Sequence, residues 1–364
     1  MKNRLLITTL FFLVFLSAQA QTESSVFENL KFRFIGPEGN RTIAIAGIPE
    51  NPMTTYIGAA SGGLWKTTDA GSTWNPIFDD QEVSSIGSLA ITPTNPDIVW
   101  VGTGETFVIR PAHSMGDGIY KSIDGGKTWK NMGLEKTGRI GRVIVHPTNP
   151  DIVYAAALGH TYGKQQERGV YKTVDGGETW KRIFFIDENT GAAELAIDPQ
   201  NPDRLLVGMW SIQINTWGLN SGGSGGGVYR TTDGGENWEA LNTKGLPGGK
   251  ENPVGKTAVA ISHSNPNIVY ALFEIDSPAL YRSEDFGETW TLQTRNHDIA
   301  ERAPYYTRMA VSTTDPNELY FASVKFSISK DGGKTIKGGY SAGGDNHDIW
   351  IDPSNADRIM VAHD

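Results

Sequence analysis

The stretch Thr173-Val174-Asp175-Gly176-Gly177-Glu178-Thr179-Trp180 occurs, with small variations, six times along the chain. Its common form is Ser/Thr-x-Asp-x-Gly-x-x-Trp, and the other copies begin at Thr67, Ser122, Thr231, Ser283 and Ser329. The last copy ends in Ile336, where the others have Trp. Successive motif aspartates are 46 to 58 residues apart in a chain of 364 residues. This period predicts a repeat architecture with units the size of propeller blades.

The chemistry of the motif is local. Its glycine favours a backbone turn that other residues would strain. The Asp side chain can accept hydrogen bonds from N–H groups of the same turn, and the Ser/Thr hydroxyl can add another. The Trp starts the next strand and can pack between repeats. We therefore predict that the six motif aspartates build hairpins and take no part in catalysis.

A second phrase, with an Asn-Pro turn signal, precedes each motif; Thr148-Asn149-Pro150-Asp151 is one copy. Apolar or alternating runs such as Arg142-Val143-Ile144-Val145 flank these turns and predict strands. Each repeat then has four strands, and the motif joins the third to the fourth. No stretch shows convincing helical periodicity. The predicted fold class is all-β: a β-propeller of four-stranded antiparallel blades with motif hairpins, six complete blades plus the start of a seventh.

The predicted blades start near residues 42, 86, 140, 192, 257, 306 and 347. The seventh has only two strands before Asp364, and residues 30–35 look like a strand that could close it. We therefore expect the natural polypeptide to continue beyond Asp364. The alternative is an open or six-bladed ring, which would expose a sheet edge.

The N-terminal residues predict export. Lys2 and Arg4 precede the apolar run 5–16, and Ser17-Ala18-Gln19-Ala20 offers a signal peptidase site before Gln21. The run is short for a membrane-spanning helix, although an uncleaved anchor stays open. We expect a secreted or periplasmic protein, with no membrane insertion after cleavage.

Composition limits the partners. The net charge is −9 and the isoelectric point about 5.3, which argues against a nucleic-acid surface. The chain has no cysteine, so disulfide, zinc-thiolate and thiol chemistry are excluded. We predict no cofactor and no metal site.

Several phrases resemble those of a family of large exported bacterial proteins with Asp-box (BNR) repeats, named glycosyl hydrolase or sortilin N-terminal domain proteins. They include Ala60-Ser61-Gly62-Gly63-Leu64-Trp65-Lys66, Trp100-Val101-Gly102-Thr103-Gly104-Glu105 and Asp345-Asn346-His347-Asp348-Ile349-Trp350. The resemblance implies a propeller but leaves the activity open. Xyloglucanase-like hydrolases take one catalytic Asp from each of two facing propellers. Sialidases use an Arg triad, and sortilin-type propellers bind peptides without chemistry. Fold analogy does not choose among them.

In this topology the second-to-third loops and the links between blades lie opposite the motif hairpins, where binding groups are expected to gather. Hydrolysis of a glycosidic bond needs two carboxyl groups, and the catalytic candidates are Glu105, Asp345 and Asp348. Asp117, in a Gly-Asp-Gly turn, is better explained as structural. The Asp345–Asp348 cluster is open to three roles: it could cap a strand, bind a metal or serve a substrate.

The candidate ligand-binding residues on the same face are Arg110, His113, His160, Tyr162, Arg168, Trp210, Trp217 and His347. The aromatic residues could stack on sugar rings, and packing between blades is an equally good explanation. A sialidase triad could be sought in Arg41, Arg142 and Arg308, but salt bridges explain these arginines better.

Two functional hypotheses follow. The first is an exported, glycan-directed propeller, a glycoside hydrolase if it is an enzyme, whose partner is a polysaccharide or oligosaccharide. The second is a propeller that binds peptides or proteins without catalysis.

Overall fold

We describe the protein from a computed structural model, which describes residues 41–107, 114–160, 162–339, 341 and 343–364. The predicted signal peptide, the strand expected at residues 30–35, and the candidates Arg110 and His113 lie outside these residues. The described part is almost entirely β-strand and turn. Its helical segments are three short 3-10 turns, at Glu135–Thr137, Leu241–Lys244 and His297–Ile299.

Six sheets follow one another along the chain, each with its strands in sequential order and antiparallel. Blade 1 contains β1 (Thr42–Ile48), β2 (Asn51–Ala59), β3 (Leu64–Thr67) and β4 (Asn75–Pro76). Blade 2 contains β5 (Ile86–Ile91), β6 (Val99–Thr103), β7 (Ile119–Ser122) and β8 (Lys130–Asn131). Blade 3 contains β9 (Ile140–Val145), β10 (Val153–Ala157), β11 (Gly169–Thr173) and β12 (Lys181–Phe184).

Blade 4 has an additional strand: it contains β13 (Thr190–Ile197), β14 (Leu205–Asn215), β15 (Gly218–Ser221), β16 (Gly227–Thr231) and β17 (Glu239–Ala240). Here β15 pairs with the end of β14 and lies off the four-stranded path. Blade 5 contains β18 (Thr257–Ile261), β19 (Val269–Phe273), β20 (Ala279–Ser283) and β21 (Thr291–Thr294). Blade 6 contains β22 (Arg308–Val311), β23 (Leu319–Ala322), β24 (Phe326–Ser329) and β25 (Lys337–Gly338).

A seventh, two-stranded sheet completes the ring. It consists of β26 (Asn346–Asp352) and β27 (Asn355–His363), paired antiparallel. The first strand of each sheet is innermost, and β26 packs against both β22 and β1. The N–H of Ile45 donates to Asp348 Oδ2 at 3.2 Å, and Arg358 Nη1 donates to the carbonyl of Ile48 at 3.0 Å. The predicted fold class is therefore confirmed: an all-β propeller with six four-stranded blades and the start of a seventh.

Hydrophobic side chains fill the spaces between adjacent blades. Between blades 2 and 3, for example, Trp100, Ile119, Ile140 and Val153 are all fully buried. Each such large apolar side chain stabilises the fold by about 1.5–3 kcal/mol. Small residues allow adjacent blades to approach closely: a Cβ on Gly58 of β2 would lie 2.4 Å from a methyl carbon of Ile86 on β5. Packing between adjacent sheets thus helps to hold the ring together.

The repeated motif forms the hairpin between the third and fourth strands. In blade 3, Asp175 Oδ1 accepts hydrogen bonds from the hydroxyl of Thr173 at 2.7 Å and the N–H of Thr179 at 2.9 Å. Gly176 and Gly177 have φ angles of 70° and 100°, which favour glycine. The hydrogen bonds lower the pKa of Asp175 to about 2. The predicted local role of the motif is present in these contacts.

The hairpin of blade 3 also ties this blade to the preceding one. The N–H of Gly176 donates to the carbonyl of Asp151 in the Asn-Pro turn at 2.9 Å. Lys121 of blade 2 donates to the carbonyl of Gly176 at 2.9 Å, and the indole of Trp180 donates to Met132 at 2.8 Å. The two repeated phrases therefore meet at one end of the ring, here called the motif end. Since the strands alternate in direction, the other loops lie at the opposite end, here called the loop end.

Candidate functional site

Four charged side chains from four inner strands meet at the centre of the ring. Arg142 on β9 contacts Glu194 on β13 through two hydrogen bonds, with Nε–Oε1 at 2.5 Å and Nη2–Oε2 at 3.0 Å. Arg308 on β22 lies 2.9 Å from Asp348 Oδ1 on β26 and 3.2 Å from Glu194 Oε2. Arg142 also approaches Asp348, at 3.4 Å. The two positive and two negative charges balance, and this central tetrad joins blades 3, 4 and 6 to the seventh sheet.

The tetrad keeps its carboxyl groups ionised. Burial alone would raise the pKa of Asp348, but the guanidinium groups of Arg142 and Arg308 outweigh it and hold the pKa below its usual value. The pKa of Glu194 is lowered in the same way. Asp348, a catalytic candidate from the sequence, is thus 2% exposed and fully engaged. The expectation that Arg142 and Arg308 form salt bridges is confirmed.

Residues 104–107 follow β6 at the loop end and bring Phe107 to the centre of the ring, here called the channel. Glu105 is buried and forms an ion pair with Arg41 at 2.7 Å, and Arg41 also donates to the hydroxyl of Tyr305 at 3.0 Å. Phe107 is fully buried, and its ring centroid lies 4.8 Å from that of His347 and 6.2 Å from that of Tyr305. Phe107 belongs to blade 2, whereas its partners come from blade 6 and the seventh sheet. It therefore plugs the channel, and Glu105 holds the plug in place.

Lys256 lies beside this plug. Its ammonium nitrogen is 4.6 Å from the ring centroid of Phe107 and 5.5 Å from that of Trp210. Burial, with a contribution from the charge of Arg308, lowers the pKa of Lys256 to about 7. Among the residues described, no carboxylate lies within ion-pair distance of this amine.

The side chains of the Asp345–Asp348 cluster lie in different environments. His347 is fully buried, and its Nε2 lies 2.6 Å from Asp364 Oδ1. Burial lowers the pKa of His347, although Asp364 opposes this shift. Asp345 is partly exposed, has a φ of 56° and lies 3.9 Å from Arg302. Asp345, His347 and Asp348, the three side chains of this cluster that the sequence indicates, therefore lie in different surroundings.

Arg168 and Arg139 form a buried pair of cations near the loop end. Arg168 Nη1 donates to the carbonyl of Asn189 at 3.0 Å, and Arg139 Nε donates to that of Gly159 at 2.7 Å. Both also donate to the carbonyl of His160, whose own side chain is exposed. Burial lowers the pKa of Arg168 to about 10 and that of Arg139 to about 9. In the described part of the chain, these two arginines are surrounded by backbone carbonyls rather than by carboxylates. The arginines therefore order the loop that carries these carbonyls.

The three aromatic candidates differ in exposure. Trp210 is fully buried, and its indole donates to Ser221 Oγ at 2.8 Å. Tyr162 is 52% exposed and its backbone bridges to Ile214. Trp217 is 93% exposed at the tip of the β14–β15 hairpin. Of the three, Tyr162 and Trp217 are the exposed residues.

A cleft of about 810 Å³ opens at the loop end between blades 4 and 5. Its lining includes Ser221 and Gly222 on one side and Glu274, Asp276 and Arg295 on the other. Glu274 directly follows β19, and its Oε2 accepts hydrogen bonds from Ser221 Oγ and from the N–H of Lys256, both at 2.6 Å. Burial raises the pKa of Glu274 even though these hydrogen bonds oppose the shift. A carboxyl group of raised pKa in a cleft is typical of functional sites.

Sequence reasoning overlooked Glu274. The connection from β19 to β20 is short, whereas the sequence argument places binding groups on long loops. One signal was available: Phe273-Glu274-Ile275-Asp276 places two carboxyl groups, two residues apart, directly after an apolar strand. The pKa of Glu274 is raised by burial in the folded ring, which the local sequence does not show, so this signal alone does not distinguish Glu274.

One group of metal-ligating side chains occurs within the described residues. Ligand atoms of His297, Asp298 and Glu301 lie within 4.8 Å of one another. The ammonium group of Lys325 is 3.0 Å from Asp298 and 3.8 Å from Glu301, so a cation already occupies the space between the carboxylates. No helix in the described ranges is long and apolar enough to cross a membrane.

The ring of four-stranded antiparallel sheets, with its loops collected at one end, defines this protein as a β-propeller. Comparison with known proteins shows what this propeller is similar to. The family model described as "Sortilin, neurotensin receptor 3" matches residues 117–246. The "Probable oligoxyloglucan-reducing end-specific xyloglucanase" of Neosartorya fischeri is 22% identical over 373 residues, covering 88% of this chain and 42% of that protein.

Solved structures show the same fold. An ancestral GH74 enzyme superposes with a TM-score of 0.64 at 17% identity, covering 87% of this chain and 42% of that one. A structure of YCF48 bound to D1 peptide superposes with a TM-score of 0.58 at 15% identity, covering 92% and 95%. The chain spans less than half the length of the xyloglucanase and of the GH74 enzyme. Together these findings fit a sortilin-like glycosyl hydrolase propeller, which confirms the resemblance seen in the sequence.

Proposed function

We propose that this chain is the propeller of an exported, glycan-directed protein of glycoside hydrolase type, and that the glycan binds in the cleft beside Glu274. The observation that supports this proposal is a carboxyl group of raised pKa in a polar cleft at the loop end. The likeness to xyloglucanases makes a polysaccharide with a glucan backbone the first substrate class to test.

Glu274 has the surroundings that a general acid needs. Its Oε2 accepts two short hydrogen bonds, so the proton of the neutral form is carried by Oε1. A proton held there can be given to the leaving oxygen of a glycosidic bond. Asp276 lines the same cleft and is the second carboxyl group in the proposal. It would act on water or on the sugar as the base or nucleophile.

The proposal gives Glu105 and Asp348 a structural role. Both are buried against arginines and have no exposed oxygen to offer to a substrate. Asp345, His160 and Arg168 lie at the loop end but do not line the cleft. Their role as ligand contacts therefore remains a prediction.

The natural full-length polypeptide should be incubated with a panel of polysaccharides that includes xyloglucan, and new reducing ends measured. Glu274→Gln is expected to lower the rate by about 10²–10⁴-fold, because the general acid is lost. Asp276→Asn should have a similar effect. The matched control is Glu178→Gln, an exposed carboxylate at the motif end, which should leave the rate unchanged. Unaltered hydrolysis by Glu274→Gln would refute the assignment of the acid.

A second candidate function is peptide binding without catalysis. The sortilin family model matches a continuous stretch of 130 residues, and the YCF48 structure with a bound peptide is matched over nearly its whole length. Capture of peptides from a random library, with no product from any glycan, would favour this alternative and end the hydrolase proposal.

Export is proposed from the N-terminal sequence. Edman or mass-spectrometric sequencing of the natural protein should find Gln21 as the first residue. Retention of Met1 would contradict it.

A further inference from the structure

The hairpin of blade 4 extends beyond the sheet to which it belongs. β14 pairs with β16 only from Leu205 to Met209, and with β13 as far as Ser211. Its last four residues, from Ile212 to Asn215, pair with β15, and Ile214 also forms an isolated bridge with Tyr162. The hairpin therefore projects from the loop end of the ring, beyond the edge of its own blade.

This hairpin is firmly attached along one face. Ile212 and Ile214 are buried and pack with Leu158 and Trp210. The N–H of Ile212 also donates to the carbonyl of Asn189 at 3.1 Å. The residues between the two isoleucines and after them point outward, as the alternation of a strand requires. The tip is thus carried by an ordered support.

Trp217 is exposed at this tip by the local backbone. The side chain of Asn215 accepts hydrogen bonds from the N–H groups of Trp217 and Gly218, both at 2.9 Å. This turn fixes the backbone of Trp217 and leaves 93% of the residue exposed. Tyr162, whose backbone bridges to Ile214, adds a half-exposed ring from blade 3. Two exposed aromatic residues are therefore associated with this hairpin.

The base of the same hairpin forms one wall of the cleft. Ser221, the last residue of β15, accepts from the indole of Trp210 and donates to Glu274. Four residues separate Ser221 from Trp217, which corresponds to about 13 Å along a strand. One rigid element therefore carries both a group in the cleft and an exposed indole well outside it.

We propose that the β14–β15 hairpin is an outer glycan-binding subsite, in which Trp217 stacks on a sugar ring of a chain whose other residues occupy the cleft. The inference rests on the proposed function of the cleft and adds the class of ligand: an extended polysaccharide rather than a mono- or disaccharide. A flat indole suits the apolar C–H face of a pyranose ring. The separation of about 13 Å exceeds one sugar ring, so a single ligand reaches both places only as an oligomer.

The test is binding as a function of ligand length. Calorimetry measures the binding of xyloglucan oligosaccharides of increasing length and of the polymer. The proteins compared are wild type, the Glu274→Gln background, which prevents hydrolysis, and this background with Trp217→Ala or Trp217→Phe added. Trp217→Ala should weaken binding of the polymer about tenfold, as expected for loss of an aromatic anchor. It should leave the shortest bound oligosaccharide unaffected. Trp217→Phe should lie between, because it keeps a flat ring.

Val174→Ala is the matched control, since Val174 is an apolar side chain that is 64% exposed at the motif end; its affinity should equal that of the background protein. Equal affinity of Trp217→Ala for the polymer overturns the outer subsite while the proposed function stands. Equal weakening at every length also overturns it, because the indole would then act within the cleft. If the background protein and wild type bind no glycan of any length, the proposed function fails and the inference fails with it.

Discussion

Replacing Asp348 by Asn tests the role of the central tetrad. The substitution removes one negative charge while keeping the size of the side chain. Asp348 Oδ1 lies 2.9 Å from Arg308 and 3.4 Å from Arg142, and Oδ2 accepts the N–H of Ile45. After the substitution Glu194 alone faces two guanidinium groups. The centre of the ring then carries an uncompensated positive charge.

The expected loss of stability is large. Removing one partner of a buried ion pair costs about 3–5 kcal/mol, because the other charge stays buried without compensation. The free energy of unfolding of a typical domain is about 5–15 kcal/mol. The control is Asp80→Asn, at an exposed turn residue, where a change of about 0.5 kcal/mol or less is expected.

Urea unfolding followed by tryptophan fluorescence measures the difference, and the chain offers 10 tryptophans as probes. The double variant Asp348→Asn with Arg308→Gln restores neutrality, so it should lose less stability than the sum of the two single variants. Asp348→Asn with the stability of the control and with no glycan hydrolysis would refute the reasoning. Asp348 would then be a catalytic residue and not a ring-closing one.

Three further predictions concern the hairpins, the cleft and the plug. Five of the motif aspartates have pKa values of about 2 in the fold, against about 3.9 in the unfolded chain. Their contribution to the stability of the fold is therefore complete above about pH 4 and is lost as the pH falls towards 2. Circular dichroism during acid titration should show this loss, and the pH dependence should be weaker in Asp175→Asn. Ser221→Ala removes a hydrogen bond that favours the carboxylate, so the pKa of Glu274 should rise further, as read from carbon NMR of the labelled side chain. Phe107→Ala should cost about 3–5 kcal/mol in urea unfolding, and a loss as small as that of an exposed residue would contradict its role as a plug.

The fold was predictable because its determinants are local. In the motif, the acceptor Asp175 and its donors Thr173 and Thr179 lie within seven residues of sequence. Two glycines of positive φ complete the turn without help from the rest of the chain. The inner strands then follow from alternating and apolar runs between turns. Such patterns are visible in any one repeat, and six repeats make the period visible as well.

The candidate site was less predictable because its determinants are distant in sequence. Arg142 and Asp348 are 206 residues apart, and they meet only because the ring closes. In the sequence, Asp348 and Glu105 have the same features as an active carboxyl group: they are polar residues beside strands at the loop end. Glu274 shows the reverse case. Burial in the folded ring raises its pKa, and its hydrogen-bond partner Ser221 lies 53 residues earlier, so the raised pKa has no signature in the surrounding sequence.

The part of the loop end that holds the ring is separate from the part proposed to bind a ligand. On the axis, the tetrad closes the inner strands and Phe107 fills the mouth of the channel, so the axial groups are buried in contacts with other blades. Off the axis, the cleft beside Glu274 is formed by a projecting hairpin and a short connection after β19. Because neither segment takes part in closing the ring, substitutions there should change ligand affinity at little cost in stability. Substitutions on the axis should have the opposite effect.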